Sequence, residues 1–157
     1  MSENNYPGRV TVKRMDNVGI VFDDLDAAVA FFVELGLELE GRTTVEAEWA
    51  ERIVGLTDMK VDIAMFRTPD GHSKLELMSY HSPKPIPSDP EAPMNTLGLR
   101  RLLFAVDDID TAVSRLTEKH GAELMGEVVQ IPGVCRMGYL RGPEGVIIAL
   151  AEETDNG

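Results

Sequence analysis

The chain matches itself, and an internal repeat decides architecture before any local propensity does. Val18-Gly19-Ile20-Val21-Phe22-Asp23-Asp24-Leu25-Asp26-Ala27-Ala28-Val29 aligns with Leu102-Leu103-Phe104-Ala105-Val106-Asp107-Asp108-Ile109-Asp110-Thr111-Ala112-Val113, 84 residues further on, with Asp-Asp-(Leu/Ile)-Asp-x-Ala-Val in common. The same order of features returns after each copy. Gly36-Leu37-Glu38-Leu39-Glu40-Gly41 corresponds to Gly121-Ala122-Glu123-Leu124-Met125-Gly126, and Phe66-Arg67-Thr68-Pro69-Asp70-Gly71 to Leu140-Arg141-Gly142-Pro143-Glu144-Gly145. The chain is therefore two copies of one unit.

Each unit reads as a strand, a helix and three further strands. The apolar run Val18 to Phe22 ends at Asp23-Asp24, where a carboxylate can accept from the orphan amides of a helix start. Leu25, Ala28, Val29 and Phe32 follow at helical spacing, and Gly36 supplies the stop. Ile109, Val113 and Leu116, with Gly121, repeat that pattern. Two apolar runs, Val61 to Phe66 and Leu75 to Met78, flank Thr68-Pro69-Asp70-Gly71 and predict a hairpin, which Gly138 to Ala151 repeats. Five of the nine prolines fall between His81 and Pro93, too many for a helix or a central strand. The expected organisation is an N-terminal extension (1–14), a first βαβββ module (15–80), a Pro-rich connector (81–97), a second βαβββ module (98–153) and a short tail (154–157). Glu46 to Val54, with Trp49 and Ile53 four apart, predicts a short helix inserted before the first hairpin, either a packing turn or a lid over a pocket.

Charge and cysteine content narrow the function classes. Acidic residues outnumber basic ones 27 to 15, a formal charge of −12, so the average surface repels phosphate backbones and anionic lipid headgroups. Nucleic acid and membrane partners are excluded on that ground, and no apolar run approaches the ~20 residues needed to span a bilayer. A single cysteine, Cys135, forms no internal disulfide, and the polar start Met1-Ser2-Glu3-Asn4-Asn5 lacks the apolar stretch of a secretion signal. A cytoplasmic protein is expected.

Strand parity separates a core face from a second face. Val18, Ile20, Phe22 and Leu102, Phe104, Val106 are large and apolar, as the helix-covered face requires. The opposite parity carries Asn17, Gly19, Val21 and Arg101, Leu103, Ala105, joined by Glu76, Met78, Ala149 and Ala151 from the last strands. Small residues, methionine and isolated polar groups suit a concave ligand cavity better than a second helix layer.

Both Asp-Asp-(Leu/Ile)-Asp starts, together with Arg141-Gly142-Pro143-Glu144-Gly145-Val146-Ile147-Ile148, resemble the vicinal oxygen chelate superfamily, which includes glyoxalase I, bleomycin-resistance proteins, methylmalonyl-CoA epimerase and extradiol dioxygenases. The resemblance spans residues 15 to 152. It implies an α+β fold in which two βαβββ modules form a curved, half-open mixed β-sheet barrel with helices on the outer face, and a homodimer. Metal-using members carry His, Glu or Gln, His and Glu at four points, which fall here on Asn17, Glu76, Arg101 and Ala149. Only Glu76 matches. An amide, a guanidinium and a methyl group make a poor set for a divalent ion, so no metal and no cofactor is expected.

Two functions follow from the resemblance. In the first, a metal-free, bleomycin-resistance-like protein binds a small, partly apolar organic molecule in the sheet cavity, with Asn17, Glu76, Met78, Arg101, Leu103 and Trp49 as ligand contacts. In the second, a glyoxalase-like lyase or isomerase acts beside a carbonyl, with Glu76 as catalytic base and Arg101 stabilising an enolate, although a neighbouring arginine weakens a carboxylate as a base. Either way, Glu76 and Arg101 are expected to form a charge pair, with Asn17 hydrogen-bonding one of them. His72, His81 and His120 have no metal partner at useful spacing, and Cys135 has no nearby histidine to activate it.

Overall fold

The computed structural model describes residue 8 and residues 10–154, so most of the expected tail and the start of the N-terminal extension lie outside the described residues. The first unit contains β1 (Val18–Val21), α1 (Leu25–Leu35), β2 (Glu38–Val45), α2 (Glu48–Val54), β3 (Lys60–Arg67) and β4 (Lys74–Ser82). The second contains β5 (Arg101–Ala105), α3 (Ile109–His120), β6 (Glu123–Leu124), β7 (Val129–Ile131), β8 (Cys135–Arg141), a single 3₁₀ turn (Pro143–Gly145) and β9 (Ile147–Glu153).

Both repeat-encoded helices begin and end as their residues dictate. Asp24 caps α1 by accepting from the Ala27 amide at 3.0 Å, and Asp108 caps α3 by accepting from the Thr111 amide at 3.0 Å. Gly36 (φ 110°) and Gly121 (φ 68°) end them in the left-handed region. The two N-termini are also tied to strands or turns of the second unit. Glu152 accepts from the Ile109 amide at 3.0 Å, while Glu144 reaches across to α1 and accepts from the Asp23 amide at 2.7 and 2.9 Å and from the Asp24 amide at 3.0 Å. A carboxylate on the positive end of a helix is favoured by the macrodipole. Replacing Glu144 by alanine therefore frees two backbone donors at the seam between units, and urea unfolding should register a loss of about 1 kcal/mol. A loss no larger than that of a neutral surface substitution would mean water replaces the carboxylate without cost.

Each unit forms its own mixed sheet, and neither sheet closes. The orders are β1-β4-β3-β2 and β5-β9-β8-β6, with β7 also pairing with β8. The parallel pairs are β1 with β4 and β5 with β9. In the second unit the strand after the helix is broken into β6 and β7, where the repeat predicts one strand like β2. β4 runs on through His81 to Ser82, so the extended segment begins at Pro83 and His81 is a strand residue.

One core spans both units. Phe22, Phe31, Phe32, Ala64, Phe66 and Leu77 from the first pack in the same cluster as Ile109, Leu116, Leu140, Ile148 and Leu150 from the second, and α1 touches α3. The parity reading of β1 and β5 holds, since Val18, Ile20, Leu102, Phe104 and Val106 pack against this core. A smaller cluster of Ala50, Met59 and Val61 seats α2 on Val45, Ile63, Met78 and Tyr80, at one end of the face that also carries Glu76.

Candidate functional site

β1 and β5 each pair on one side only, and their free edges border a groove of about 1200 Å³. The end of α1, the first turns of α3 and the Thr68–Lys74 turn complete its walls. Of the residues expected at a site, Asn17, Arg101 and Leu103 line this groove, whereas Glu76, Met78 and Trp49 do not.

The first-unit candidates occupy the face of their sheet turned away from α1. Glu76 is the ladder partner of Gly19 and Met65, and Met78 that of Val21 and Ile63. A Cβ on Gly19 would stand 2.9 Å from the Met78 methyl, so the thioether lies across the glycine and the bare backbone makes room for it. Asn17 is exposed just before β1. Trp49 is 62% exposed and Ile53 76%, both pointing away from the cluster in which Ala50 seats α2.

The second-unit candidates show an arrangement that the repeat did not reveal. Arg101 Nε donates to the Tyr139 hydroxyl at 2.8 Å, and the guanidinium carbon stands 5.8 Å from the tyrosine ring centroid. β9 separates β5 from β8, so this contact spans a strand. Ala149 is the ladder partner of both Leu103 and Tyr139 and has no exposure at all. Its methyl group is small enough for the arginine and tyrosine to meet above it. The repeat match covers β1 and β5 and does not point to Tyr139, whose only sequence signal is that it shares the parity of Met137 and of Ala149 opposite.

The expected Glu76–Arg101 pair is not formed. The two residues lie on different sheets, and the Arg101 Nε already serves Tyr139 on its own sheet. Nor do the residues fit a divalent ion. The four family positions offer one carboxylate beside an amide, a guanidinium engaged by a phenol and a buried methyl group. Among the described residues no three His, Cys, Asp or Glu side chains converge.

On the opposite parity of the first sheet, titratable residues form a separate cluster. His81 Nε2 lies 2.7 Å from Asp62 Oδ2, and the Thr44 hydroxyl donates to Asp62 Oδ1 at 2.6 Å. The Thr44 hydrogen bond, followed by the histidine, holds the Asp62 carboxyl below its ordinary value. Arg100, next to Arg101 in the chain, donates to the carbonyls of Ala92 and Pro93 at 3.0 Å. No helix among the described residues is long and apolar enough to cross a membrane.

Comparisons with known proteins agree with the fold. A crystal structure of a glyoxalase family protein from Bacillus cereus is 54% identical, covers 93% of this chain and 97% of its own, and superposes with a TM-score of 0.88. The uncharacterized protein YaeR of Escherichia coli K12 is 30% identical over 145 residues, 90% of this chain and 98% of YaeR. TnmS3, an antibiotic binding protein from Streptomyces sp. CB03234, is 19% identical and shares the fold, with a TM-score of 0.59 over 93% of this chain and 100% of its own. Residues 16–138 match the family model for the glyoxalase/bleomycin resistance protein/dioxygenase superfamily, and the chain belongs to that superfamily.

Proposed function

We propose that this chain is a metal-free, ligand-binding member of its superfamily, which holds a small, partly apolar organic molecule in a sheet cavity completed by a second copy. The observation that carries the reading is the Arg101–Tyr139 contact across Ala149: it puts a cation and a phenol where metal-using relatives carry chelating groups. Leu103 and Met137 share the face of that contact, which favours an apolar body over a highly charged one.

Three features support the second copy. β1 and β5 present unpaired edges, which proteins rarely leave open. Val18, Ile20, Leu102 and Phe104 have core parity but are only half-buried, because the groove leaves them uncovered. The groove, at about 1200 Å³, also exceeds the ~300–1,000 Å³ of ordinary small-ligand sites, which suits a space that another chain partly fills. A dimer joined along these edges brings the Glu76 and Met78 face of one copy toward the Arg101 and Leu103 face of the other, with Trp49 and α2 at the rim. The buried free thiol of Cys135 suits a cytoplasmic setting.

Light scattering on the purified protein should give twice the chain mass, and a panel of small aromatic and heterocyclic compounds should raise the melting temperature of that dimer. A monomer that no compound stabilises would overturn the reading. A second reading keeps Glu76 as a general base, since among the described residues no arginine or lysine pairs with it. Turnover of an α-carbonyl substrate that Glu76→Gln abolishes would favour that reading over sequestration.

A further inference from the structure

Several arginines among the described residues are answered by oxygen atoms of the protein itself. Arg42 pairs with Asp26, Arg67 with Glu38 and Arg136 with Asp110, each at 2.8 Å. Arg100 and Arg141 donate to carbonyls of the 90–93 segment, Arg141 to Ala92 at 2.6 Å. Arg101 is exposed and has no carboxylate partner among the described residues, in a chain where 27 acidic residues face 15 basic ones. It is nonetheless held in place, by the Tyr139 hydroxyl on Nε and by the tyrosine ring beneath the guanidinium.

That arrangement engages Nε and, among the described residues, leaves the two terminal nitrogens without a hydrogen-bond partner, in a residue that lines the groove. Two parallel N–H donors at fixed spacing match the two oxygens of a carboxylate. Arg100 and Arg141 are engaged elsewhere, Lys74 is paired with Glu40, and Arg115 stands on α3 across the groove, so Arg101 is the cation that this face of the second sheet offers, which suits a monoanion rather than a doubly charged phosphate. Leu103, with the buried Ala149 behind it, supplies an apolar floor for the rest of the molecule. We infer that Arg101, positioned by Tyr139, is a carboxylate-binding subsite, and that the ligand of this cavity is a small planar carboxylate with an apolar body. The inference rests on the ligand-cavity reading and adds the charge that its ligand must carry.

Two isosteric probes separate the inference from that reading. Calorimetric titration of the purified full-length protein with 2-naphthoate and with neutral 2-naphthamide should show the acid binding about tenfold tighter or better. Arg101→Gln should remove the difference by weakening the acid to the level of the amide. Tyr139→Phe, which frees Arg101 without removing its charge, should leave an intermediate preference, and rising salt should narrow the preference of the wild type. Equal affinity for acid and amide overturns the inference and leaves the cavity reading standing. So does a preference that survives Arg101→Gln, as would be expected if a carboxylate of the second copy occupied the arginine. Failure of both probes to bind overturns the cavity reading and the subsite with it.

Discussion

Phe32→Ala should destabilise the protein by about 3–5 kcal/mol, the cost of truncating a fully enclosed phenylalanine. Phe32 has no exposure, and its ring meets those of Phe31 at 5.3 Å, Phe66 at 6.1 Å and Phe22 at 6.3 Å. Those partners come from α1 itself, from β3 and from the end of the first strand, so one ring joins three elements of the first unit. Phe31 continues the same packing into the second unit, against Gly142 and the ring of His120. Collapse of the space left by the ring would require all of these to move together. Against a total stability of about 5–15 kcal/mol, the loss should lower the melting temperature by ~10 °C or more. A measured loss below about 1 kcal/mol would show that the ring is not enclosed by these partners as described above.

Gly145→Ala should be almost as costly, for a different reason. Gly145 has φ +86°, and a Cβ there would stand 2.3 Å from the Pro90 carbonyl oxygen and 2.6 Å from its Cα. The left-handed backbone alone costs an alanine about 1–2 kcal/mol. The clash is with main chain, so the 90–93 segment must move, and with it the hydrogen bonds that Arg141 and Arg100 make to its carbonyls. A total near 3 kcal/mol is expected in urea or thermal unfolding. Two control glycines separate the contributions: Gly71→Ala has the positive φ (76°) with open space around it, and Gly126→Ala has open space and no such φ. The expected order of destabilisation is Gly145, then Gly71, then Gly126. Equal losses at Gly145 and Gly71 would mean that the connector yields to the clash without resistance.

Much of the fold was legible because the repeat encodes local rules twice. Asp24 and Asp108 cap their helices, Gly36 and Gly121 end them, and alternation along β1 and β5 sorts core from outer face, all through interactions within a few residues. What was not legible depends on contacts between distant segments. β2 marks the equivalent point only with a bulge between Leu39 and Gly41, whereas the second unit breaks there into β6 and β7, which copying the first unit onto the second does not predict. Glu144 capping the other unit's helix, and Pro90 pressed on Gly145, join positions far apart in the chain that no periodicity links.

The candidate site shows the same limit in chemical form. Reading repeat-equivalent positions found the face that carries Glu76 and Arg101 but paired them with each other, because equivalence in sequence was taken for proximity in space. In the structure Arg101 finds Tyr139 across β9, a partner set by strand order and by the size of Ala149. His81 was placed on the connector, yet strand register sets it beside Asp62.

The exchange of chelating side chains for an amide, a guanidinium and a methyl group is the centre of this account, and metal binding tests it most directly. Protein dialysed separately against zinc, nickel, cobalt, manganese and ferrous salts, then freed of unbound ion, should carry none of them in stoichiometric amount by elemental analysis. One equivalent per chain of any of these metals, released by Glu76→Gln, would contradict it.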